Sequence, residues 1–241
     1  MKRAIVFGAT GGIGQAVVAD LAARGWSLYL QYNQQAELAQ NMATDLGRRY
    51  QDQDFLPFRY DMAENQQPAD FFADFLAVNA LIFAQGVTDY HLFAAQSNET
   101  IDRILQINLV QPLKIVKYFE PQLLNTKHSR IIFIGSVYGR NGSALEAVYS
   151  TTKGGLSAFA SAYAKEVATA GLTVNVVAPG AVATPMTADF STNELTQLKA
   201  EIPVSRIAEP RDISYWVQNI VDERADYLTG QTIYVDGGWL V

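Results

Sequence analysis

Short runs of apolar, β-branched residues alternate along this chain with longer segments of helical period, and this alternation restricts the fold more than any other feature. Seven runs are typical of strands, at 4–9, 27–32, 54–61, 79–86, 129–136, 172–180 and 231–238. Helices are predicted between them, among others near 97–124, 148–170 and 209–222. Apolar strands separated by helices indicate a parallel sheet that is covered on both sides. We therefore predict an α/β fold with a doubly wound, seven-stranded, mostly parallel sheet.

The composition narrows the classes of function. The net charge is −6 and there is no basic cluster, which argues against nucleic acid as a partner. The chain has no cysteine and only two histidines, His91 and His128, so we expect no metal site. No apolar run reaches 18 residues, and the N-terminus enters a strand directly, so we expect no membrane span, no signal peptide and a cytoplasmic location. No linker or repeat divides residues 1–241, which predicts a single domain.

A glycine-rich loop joins the first predicted strand to the first predicted helix. In "GATGGIG" the glycines are Gly8, Gly12 and Gly14. Glycines let the backbone approach a pyrophosphate closely, and the start of a helix presents free N–H groups to an anion. The spacing is GxxxGxG rather than GxGxxG, and such a loop can also be a plain turn. Its position favours a single dinucleotide-binding domain of the Rossmann type.

The residues at the end of the second predicted strand indicate whether NAD or NADP is the preferred dinucleotide. A carboxylate there would bind the ribose 2′-hydroxyl of NAD and repel a 2′-phosphate. This chain has "QYNQQ" at 31–35, so we predict NADP(H) as the preferred cofactor and NAD(H) as the alternative. Asn33 and Thr10 offer hydrogen bonds there, but no arginine follows the strand or stands in the loop. Asp61, after the third strand, has two compatible roles open to it: contact with the adenine amino group, or capping of a helix at "MAEN".

Three further side chains carry candidate chemistry. Tyr149 and Lys153 stand four residues apart at the start of a predicted helix, so they lie on one helix face. A lysine ammonium beside a phenol favours the phenolate and lowers the tyrosine pKa, although the spacing alone also fits an ordinary surface pair. Ser136 ends the fifth strand, and open α/β sheets bind ligands at the carboxyl ends of their strands.

Together these motifs resemble the short-chain dehydrogenase/reductase family. The resemblance spans essentially the whole chain: "GATGGIG", Asn108 in "ILQINLVQPL", "IGS", "YSTTK", "NVVAPG" followed by Thr184, and "YLTGQTIYVDGG". Within the family, the chain is most similar to 3-oxoacyl-[acyl-carrier-protein] reductases. The resemblance therefore implies an NAD(P)-dependent oxidoreductase.

The resemblance also implies a catalytic tetrad of Asn108, Ser136, Tyr149 and Lys153. In carbonyl reduction, Tyr149 would give a proton to the substrate oxygen while the nicotinamide cofactor supplies a hydride. The Ser136 hydroxyl would hydrogen-bond that oxygen. Lys153 would lower the pKa of Tyr149 and hold the ribose hydroxyls next to the nicotinamide. Asn108 would support a chain of water from Lys153 to solvent.

A cofactor-binding set follows from the same resemblance. The backbone of Val182 and the hydroxyl of Thr184 would bind the carboxamide, Gly86 would admit the adenine ribose, and 185–205 would form a substrate lid. The full expected set is Gly8, Thr10, Gly12, Ile13, Gly14, Asn33, Asp61, Met62, Gly86, Tyr149, Lys153, Pro179, Gly180, Val182 and Thr184. We also expect a homotetramer or homodimer that packs the helices bearing Asn108 and Tyr149. The small apolar "LSAFASAYA" suits such an interface, or equally a helix buried within one chain.

The chain departs from the family pattern at two places. Phe83, Ala84, Gln85 and Gly86 replace the common Asn-Asn-Ala-Gly, so the sheet needs another brace, for which Gln85 is the candidate. Phe7 stands where threonine is usual. Both departures lie beside the expected site, and neither removes a member of the tetrad.

Three functions remain open from the sequence. The first is an NADPH-dependent reductase for a small carbonyl compound or a 3-oxoacyl thioester. The second is a dehydrogenase of another secondary alcohol, such as a sugar alcohol, and the third is a non-catalytic sensor that binds nicotinamide, which the complete tetrad disfavours. The fold does not set the substrate. Reductases that dock an acyl carrier have basic residues at two positions, which correspond here to Lys127 and Ala170, so we expect little gain from a carrier.

Overall fold

The computed structural model describes residues 2–185 and 191–240, which surround one central sheet. The strands are β1 (Lys2–Phe7), β2 (Trp26–Tyr32), β3 (Phe55–Arg59), β4 (Ala80–Phe83), β5 (Arg130–Ile134), β6 (Thr173–Pro179) and β7 (Thr232–Val235). Their order is β3-β2-β1-β4-β5-β6-β7, and every neighbouring pair is parallel. The predicted seven-stranded, doubly wound α/β sheet is therefore confirmed.

Helices connect the strands, as the alternating pattern predicts. In the described part of the chain they are α1 (Gly12–Ala23), α2 (Ala36–Arg49), α3 (Pro68–Phe72), α4 (Asn98–Leu105), α5 (Gln111–Leu124), α6 (Tyr138–Asn141), α7 (Ala147–Val167), α8 (Thr192–Glu201) and α9 (Pro210–Ile220). The short helix α3 starts at Pro68 because proline suits the first turn, where its missing N–H would have no partner. The helix predicted over 97–124 is divided into α4 and α5 by a π-helical segment, Gln106–Val110.

Two apolar layers cover the sheet. On one face, buried residues of α1 and α9, such as Val17 and Val217, pack against alternate residues of the strands. On the other face, Phe119 of α5 and Leu156 of α7 do the same. Because both faces are covered, the central strands β4 and β5 are buried throughout, which explains their continuous apolar sequence.

A column of stacked phenylalanines crosses the centre of the sheet. Phe7, Phe83 and Phe133 are register partners on β1, β4 and β5. Their ring centroids lie 4.8 Å and 5.0 Å apart with nearly parallel planes. Phe159 of α7 closes the column edge-on at 6.0 Å. The two departures from the family pattern at Phe7 and Phe83 are thus one feature, since each aromatic side chain is the stacking partner of the other.

The strand order reverses between β1 and β4: the chain continues from β1 to β2 and β3 on one side, and from β4 to β5, β6 and β7 on the other. A crevice opens at such a point outside the carboxyl ends of the strands. The loops after β1, β4, β5 and β6 all reach this crevice. No described helix is long and apolar enough to cross a membrane, and residues 2–185 and 191–240 hold no group of three or more His, Asp or Glu side chains suited to a metal ion.

Candidate active site

A cleft of about 530 Å³ occupies this crevice. Of the residues predicted from the sequence, most line it: Gly8, Thr10, Gly12, Ile13, Asn33, Asp61, Met62, Gly86, Ser136, Tyr149, Lys153, Pro179, Gly180, Val182 and Thr184. Gly14 and Asn108 do not line the cleft but contact residues that do: Gly14 packs against the backbone of Gly8, and the Asn108 side chain is hydrogen-bonded to the backbone of Val87. The fold thus brings residues from all parts of the chain to one cavity.

The glycine loop is shaped by backbone contacts that only glycine permits. Gly8 has φ of +72°, and its N–H donates to Oε1 of the buried Gln31 at 2.7 Å. A Cβ on Gly14 would collide with the carbonyl of Gly8, so Gly14 allows α1 to begin directly against the loop. The residue before α1 is Gly11, which has no side chain to cap the helix. The first N–H groups of α1 are therefore available to an anion in the cleft.

At the opposite end of the cleft, the structure adds an arginine that the sequence reasoning missed. Tyr32 of β2 is the register partner of Arg59 on β3. The Arg59 Nε donates to the carbonyl of Asn33 at 3.2 Å, so a cation does lie beside the end of β2. No arginine stands in the sequence directly after β2 or in the glycine loop, but the neighbouring strand β3 provides one. The pairing of β2 with β3 is the cause, and the local sequence around residue 33 contains no sign of it.

Asp61 and Asn33 also lie at the end of the cleft next to β2. The Asp61 side chain accepts a hydrogen bond from the N–H of Ala63 at 2.9 Å in a turn, so the residue caps a turn rather than the helix predicted at "MAEN". Buried side-chain atoms with no hydrogen-bond partner among the described residues include Asn33 Oδ1 and Gln85 Oε1, both of them on residues that line the cleft. Such buried acceptors are costly unless a ligand or water satisfies them. Together with the uncapped start of α1, they fit a bound dinucleotide.

The candidate catalytic groups meet where β5 and α7 approach each other. Tyr149 and Lys153 lie one turn apart on α7, and the Lys153 Nζ is 5.6 Å from the centre of the Tyr149 ring. The Ser136 side chain accepts from the N–H of Tyr138 at 3.1 Å, and Ser136 and Tyr149 both line the cleft. Ser136 also influences the pKa of the Tyr149 phenol by hydrogen bonding, against the larger effect of burial. A serine hydroxyl and a phenol are thus close to each other in the cleft.

The pKa shifts of Tyr149 and Lys153 differ from those expected from their spacing. Burial is the main cause that raises the Tyr149 pKa above its usual value of 10, and the hydrogen bond with Ser136 opposes it only in part. Burial also lowers the pKa of Lys153 from 10.5 to about 8. The Lys153 ammonium donates to the Ile134 carbonyl at 2.7 Å. The Tyr149 pKa is therefore raised rather than lowered, because removal from water is its largest cause and Lys153 is not among the groups that shift it.

Asn108 is placed by the π-helical segment between α4 and α5, and insertions of this type are frequent at functional sites. Its Oδ1 accepts from the Val87 N–H at 2.9 Å, and its Nδ2 donates to the Val87 carbonyl at 2.8 Å and to Thr152 at 3.3 Å. Asn108 thereby supplies the brace that was expected of Gln85, whose own contact with the Ile107 carbonyl is long, at 3.4 Å.

The segment after β6 forms the far wall. Val182 pairs with Ala208 in an isolated bridge, and a Cβ on Gly12 would lie 2.8 Å from the Thr184 side chain. This contact places the predicted carboxamide-binding segment directly against the glycine loop. Of the predicted lid at 185–205, residues 186–190 lie outside the described residues. The remainder includes α8, which starts with a capping box at Ser191, and Leu198 of this helix reaches the cleft.

The sequence reasoning also missed the substrate half of the cleft. Tyr90, Tyr138, Glu146 and Trp239 line it together with Tyr149. Two of them stand close to predicted residues in the sequence, since Glu146 directly precedes the helix that bears Tyr149 and Tyr138 follows Ser136 by two positions. Tyr90 and Trp239 come from segments distant in sequence.

Comparisons with known proteins identify the family of this chain. The family profile for short chain dehydrogenase matches residues 2–195. The uncharacterized oxidoreductase YmfI of Bacillus subtilis (strain 168) is 32% identical over 244 residues, with 99% of this chain and 98% of that protein covered. The 3-oxoacyl-[acyl-carrier-protein] reductase FabG of Escherichia coli (strain K12) is 33% identical over 238 residues, with 98% and 96% covered.

Among solved structures, a blue fluorescent protein from a metagenomic library in complex with NADPH has a TM-score of 0.90 at 26% identity, and the match covers 100% of this chain and 98% of that one. The chain therefore belongs to the short-chain dehydrogenase family, as its motifs predict. It is an NAD(P)-dependent short-chain oxidoreductase.

Proposed function

We propose that this protein reduces a ketone to a secondary alcohol with NADPH, and that Tyr149 donates the proton. The observation that carries the proposal is that Tyr149 and Ser136 line one cleft together with a glycine loop and an uncapped helix start. A phenol is protonated at neutral pH at its usual pKa of 10, and burial raises the pKa of Tyr149 further, so the residue is in the form that a proton donor requires.

Each residue of the tetrad has one task in this mechanism. When bound, the reduced nicotinamide supplies a hydride to the carbonyl carbon. Tyr149 gives its proton to the carbonyl oxygen, and the Ser136 hydroxyl hydrogen-bonds that oxygen as negative charge develops on it. Lys153 stabilises the phenolate that Tyr149 becomes and binds ribose hydroxyls of the cofactor. Asn108 holds the Val87 loop and α7 together, so it positions the other three.

The cofactor preference rests on the end of β2. With no carboxylate at residues 31–35, nothing there repels a 2′-phosphate, and the guanidinium of Arg59 lies beside the Asn33 backbone. Arginine binds phosphate oxygens with strong, charge-assisted hydrogen bonds. A structural neighbour was solved with NADPH, which supports the same choice. NADH is the alternative cofactor.

For the substrate we propose an uncharged ketone, with a 3-oxoacyl thioester as the first candidate because of the similarity to FabG. Docking of an acyl carrier has less support. Lys127 precedes β5 and Ala170 precedes β6, so both lie at the edge of the sheet opposite to the cleft. The expected docking position at Lys127 is therefore remote from the cleft within one chain.

A homotetramer or homodimer is part of the proposal. On α7, Leu156, Ala160 and Tyr163 are buried within the chain, whereas Ala158 and Ala162 are exposed on another face. Small exposed residues let a second helix approach closely, as a two-fold interface requires. Light scattering of the purified protein at several concentrations tests this part by itself.

A stopped assay of NADPH consumption tests the function. The panel contains simple ketones, a 3-oxoacyl group on a small thioester, and sugar alcohols with NADP⁺ for the reverse reaction. We expect turnover of ketones and thioesters, and loss of turnover in Tyr149→Phe. Oxidation of sugar alcohols alone would favour the dehydrogenase alternative, and NADPH binding without any turnover would favour the sensor.

A further inference from the structure

The substrate half of the cleft contains a buried carboxylate, Glu146, for which the mechanism above has no task. Its side chain is 3% exposed, although it lines the cavity. The hydroxyl of Thr88 donates to Oε1 at 2.8 Å, and the hydroxyl of Ser143 donates to Oε2 at 3.2 Å. After burial, the Glu146 carboxyl group is the main cause that raises the pKa of Tyr90. Neutral donors from two segments, the loop at Thr88 and the loop at Ser143, thus hold the carboxylate in place.

No cation neutralises this group within the described residues, where Glu146 takes part in none of the ion pairs. Other charged or titratable side chains line the cleft around it: Tyr90, Arg103 of α4, Tyr138 of α6, and Tyr149 and Lys153 of α7. Glu201 of α8 acts on Tyr138. Lys153 is directed to the Ile134 carbonyl, and Arg103 is exposed. Glu146 therefore places a negative charge without an ion-pair partner among the described residues in the substrate half.

This charge acts on the reacting groups. Burial is the largest cause that raises the pKa of Tyr149, Tyr90 and Tyr138, and the Glu146 carboxylate is a further cause for each of them. A charge that acts on three phenols lining the cleft also acts on a substrate placed against Tyr149. In a site shielded from water, two like charges repel each other far more strongly than in solution.

We propose that Glu146 is a specificity-determining residue, whose carboxylate excludes substrates with an anionic group beside the carbonyl and restricts the enzyme to neutral ketones, esters and thioesters. The proposal rests on the proposed function, because it places the substrate carbonyl at Tyr149. Unesterified 3-oxo acids and 2-oxo acids are then poor substrates, although they contain a suitable ketone.

A matched pair of probes isolates the charge: 3-oxobutanoate and its methyl ester share one ketone and differ by one negative charge. We expect wild-type kcat/KM to favour the ester. In Glu146→Gln, which keeps the size of the side chain, the ratio of ester to acid should fall by about tenfold or more. Glu146→Asp retains the charge and should retain most of the preference. Asp102→Asn, which removes one charge from an exposed position on α4, should leave the ratio within about twofold.

A binding measurement separates this inference from the proposed function. Calorimetric titration of both probes into the protein with NADP⁺ involves no turnover, so it remains informative if neither probe is reduced. Stronger binding of the ester, with a difference that Glu146→Gln removes and Glu146→Asp keeps, supports selection by charge. An unchanged ester-to-acid ratio in Glu146→Gln, or failure of the ester to bind the wild type, would overturn the inference. A failure of all ketones to turn over would instead count against the proposed function.

Discussion

Replacement of Lys153 by methionine should abolish activity and make the protein more stable at neutral pH. Lys153 is 3% exposed, and burial lowers its pKa from 10.5 to about 8. Below pH 8 the side chain is charged in both the folded and unfolded states, and the folded state bears the full cost of burying the charge. Methionine has a similar length and carries no charge.

The magnitude follows from the two pKa values. The change from 10.5 to about 8 corresponds to a loss of about 3 kcal/mol of folding free energy at low pH. Removal of the hydrogen bond to the Ile134 carbonyl costs about 1–2 kcal/mol. The variant should therefore gain about 1–2 kcal/mol at pH 7. The penalty in the wild type disappears as pH rises from 8 towards 10.5, so the advantage of Lys153→Met should shrink by about 2 kcal/mol between pH 7 and pH 9.5.

Urea unfolding at fixed protein concentration, repeated at several pH values from 7 to 9.5, measures this difference. The control is Lys165→Met, which removes an exposed lysine from the same helix and should give a difference that does not vary with pH. The dependence on pH is the decisive result, because the lost hydrogen bond is the same at every pH. A constant difference between Lys153→Met and the wild type would refute the argument that burial makes Lys153 costly to protonate.

Further predictions concern activity. Tyr149→Phe removes the transferable proton and should lower kcat at least about a hundredfold while NADPH binding, measured by fluorescence, is retained; near-normal turnover would end the mechanism. Wild-type kcat/KM should be roughly tenfold higher with NADPH than with NADH, and Arg59→Gln should reduce this ratio by lowering only the NADPH value. Asn33→Asp should invert the preference for NADPH over NADH, and a strong NADH preference in the wild type would contradict the proposal. An acyl carrier should raise kcat/KM over a small thioester by less than about tenfold, and Lys127→Ala should have little effect; a hundredfold gain that collapses in Lys127→Ala would show carrier docking.

The class of fold and much of the site can be predicted from the sequence because both depend on local patterns. Apolar strands that alternate with helices have to bury both faces, which leads to a doubly wound sheet. The glycines of the first loop are required by local backbone geometry, as the positive φ of Gly8 shows. Tyr149 and Lys153 share a helix face through their spacing alone. Where the chemistry depends on neighbours along the chain, the sequence was sufficient.

The tertiary structure decided whatever depends on contacts between distant segments. Arg59 lies beside Asn33 only because β3 pairs with β2, and Phe7 stacks on Phe83 only because β4 pairs with β1. Asn108 braces Val87, 21 positions away in the sequence.

The pKa of Tyr149 illustrates why such contacts cannot be predicted from the sequence. A lysine four residues away predicts a lower value, but desolvation by the assembled sheet and helices raises it. Periodicity shows which faces of an element are apolar. It contains no information on which elements meet, or on how far their contact removes a charged group from water.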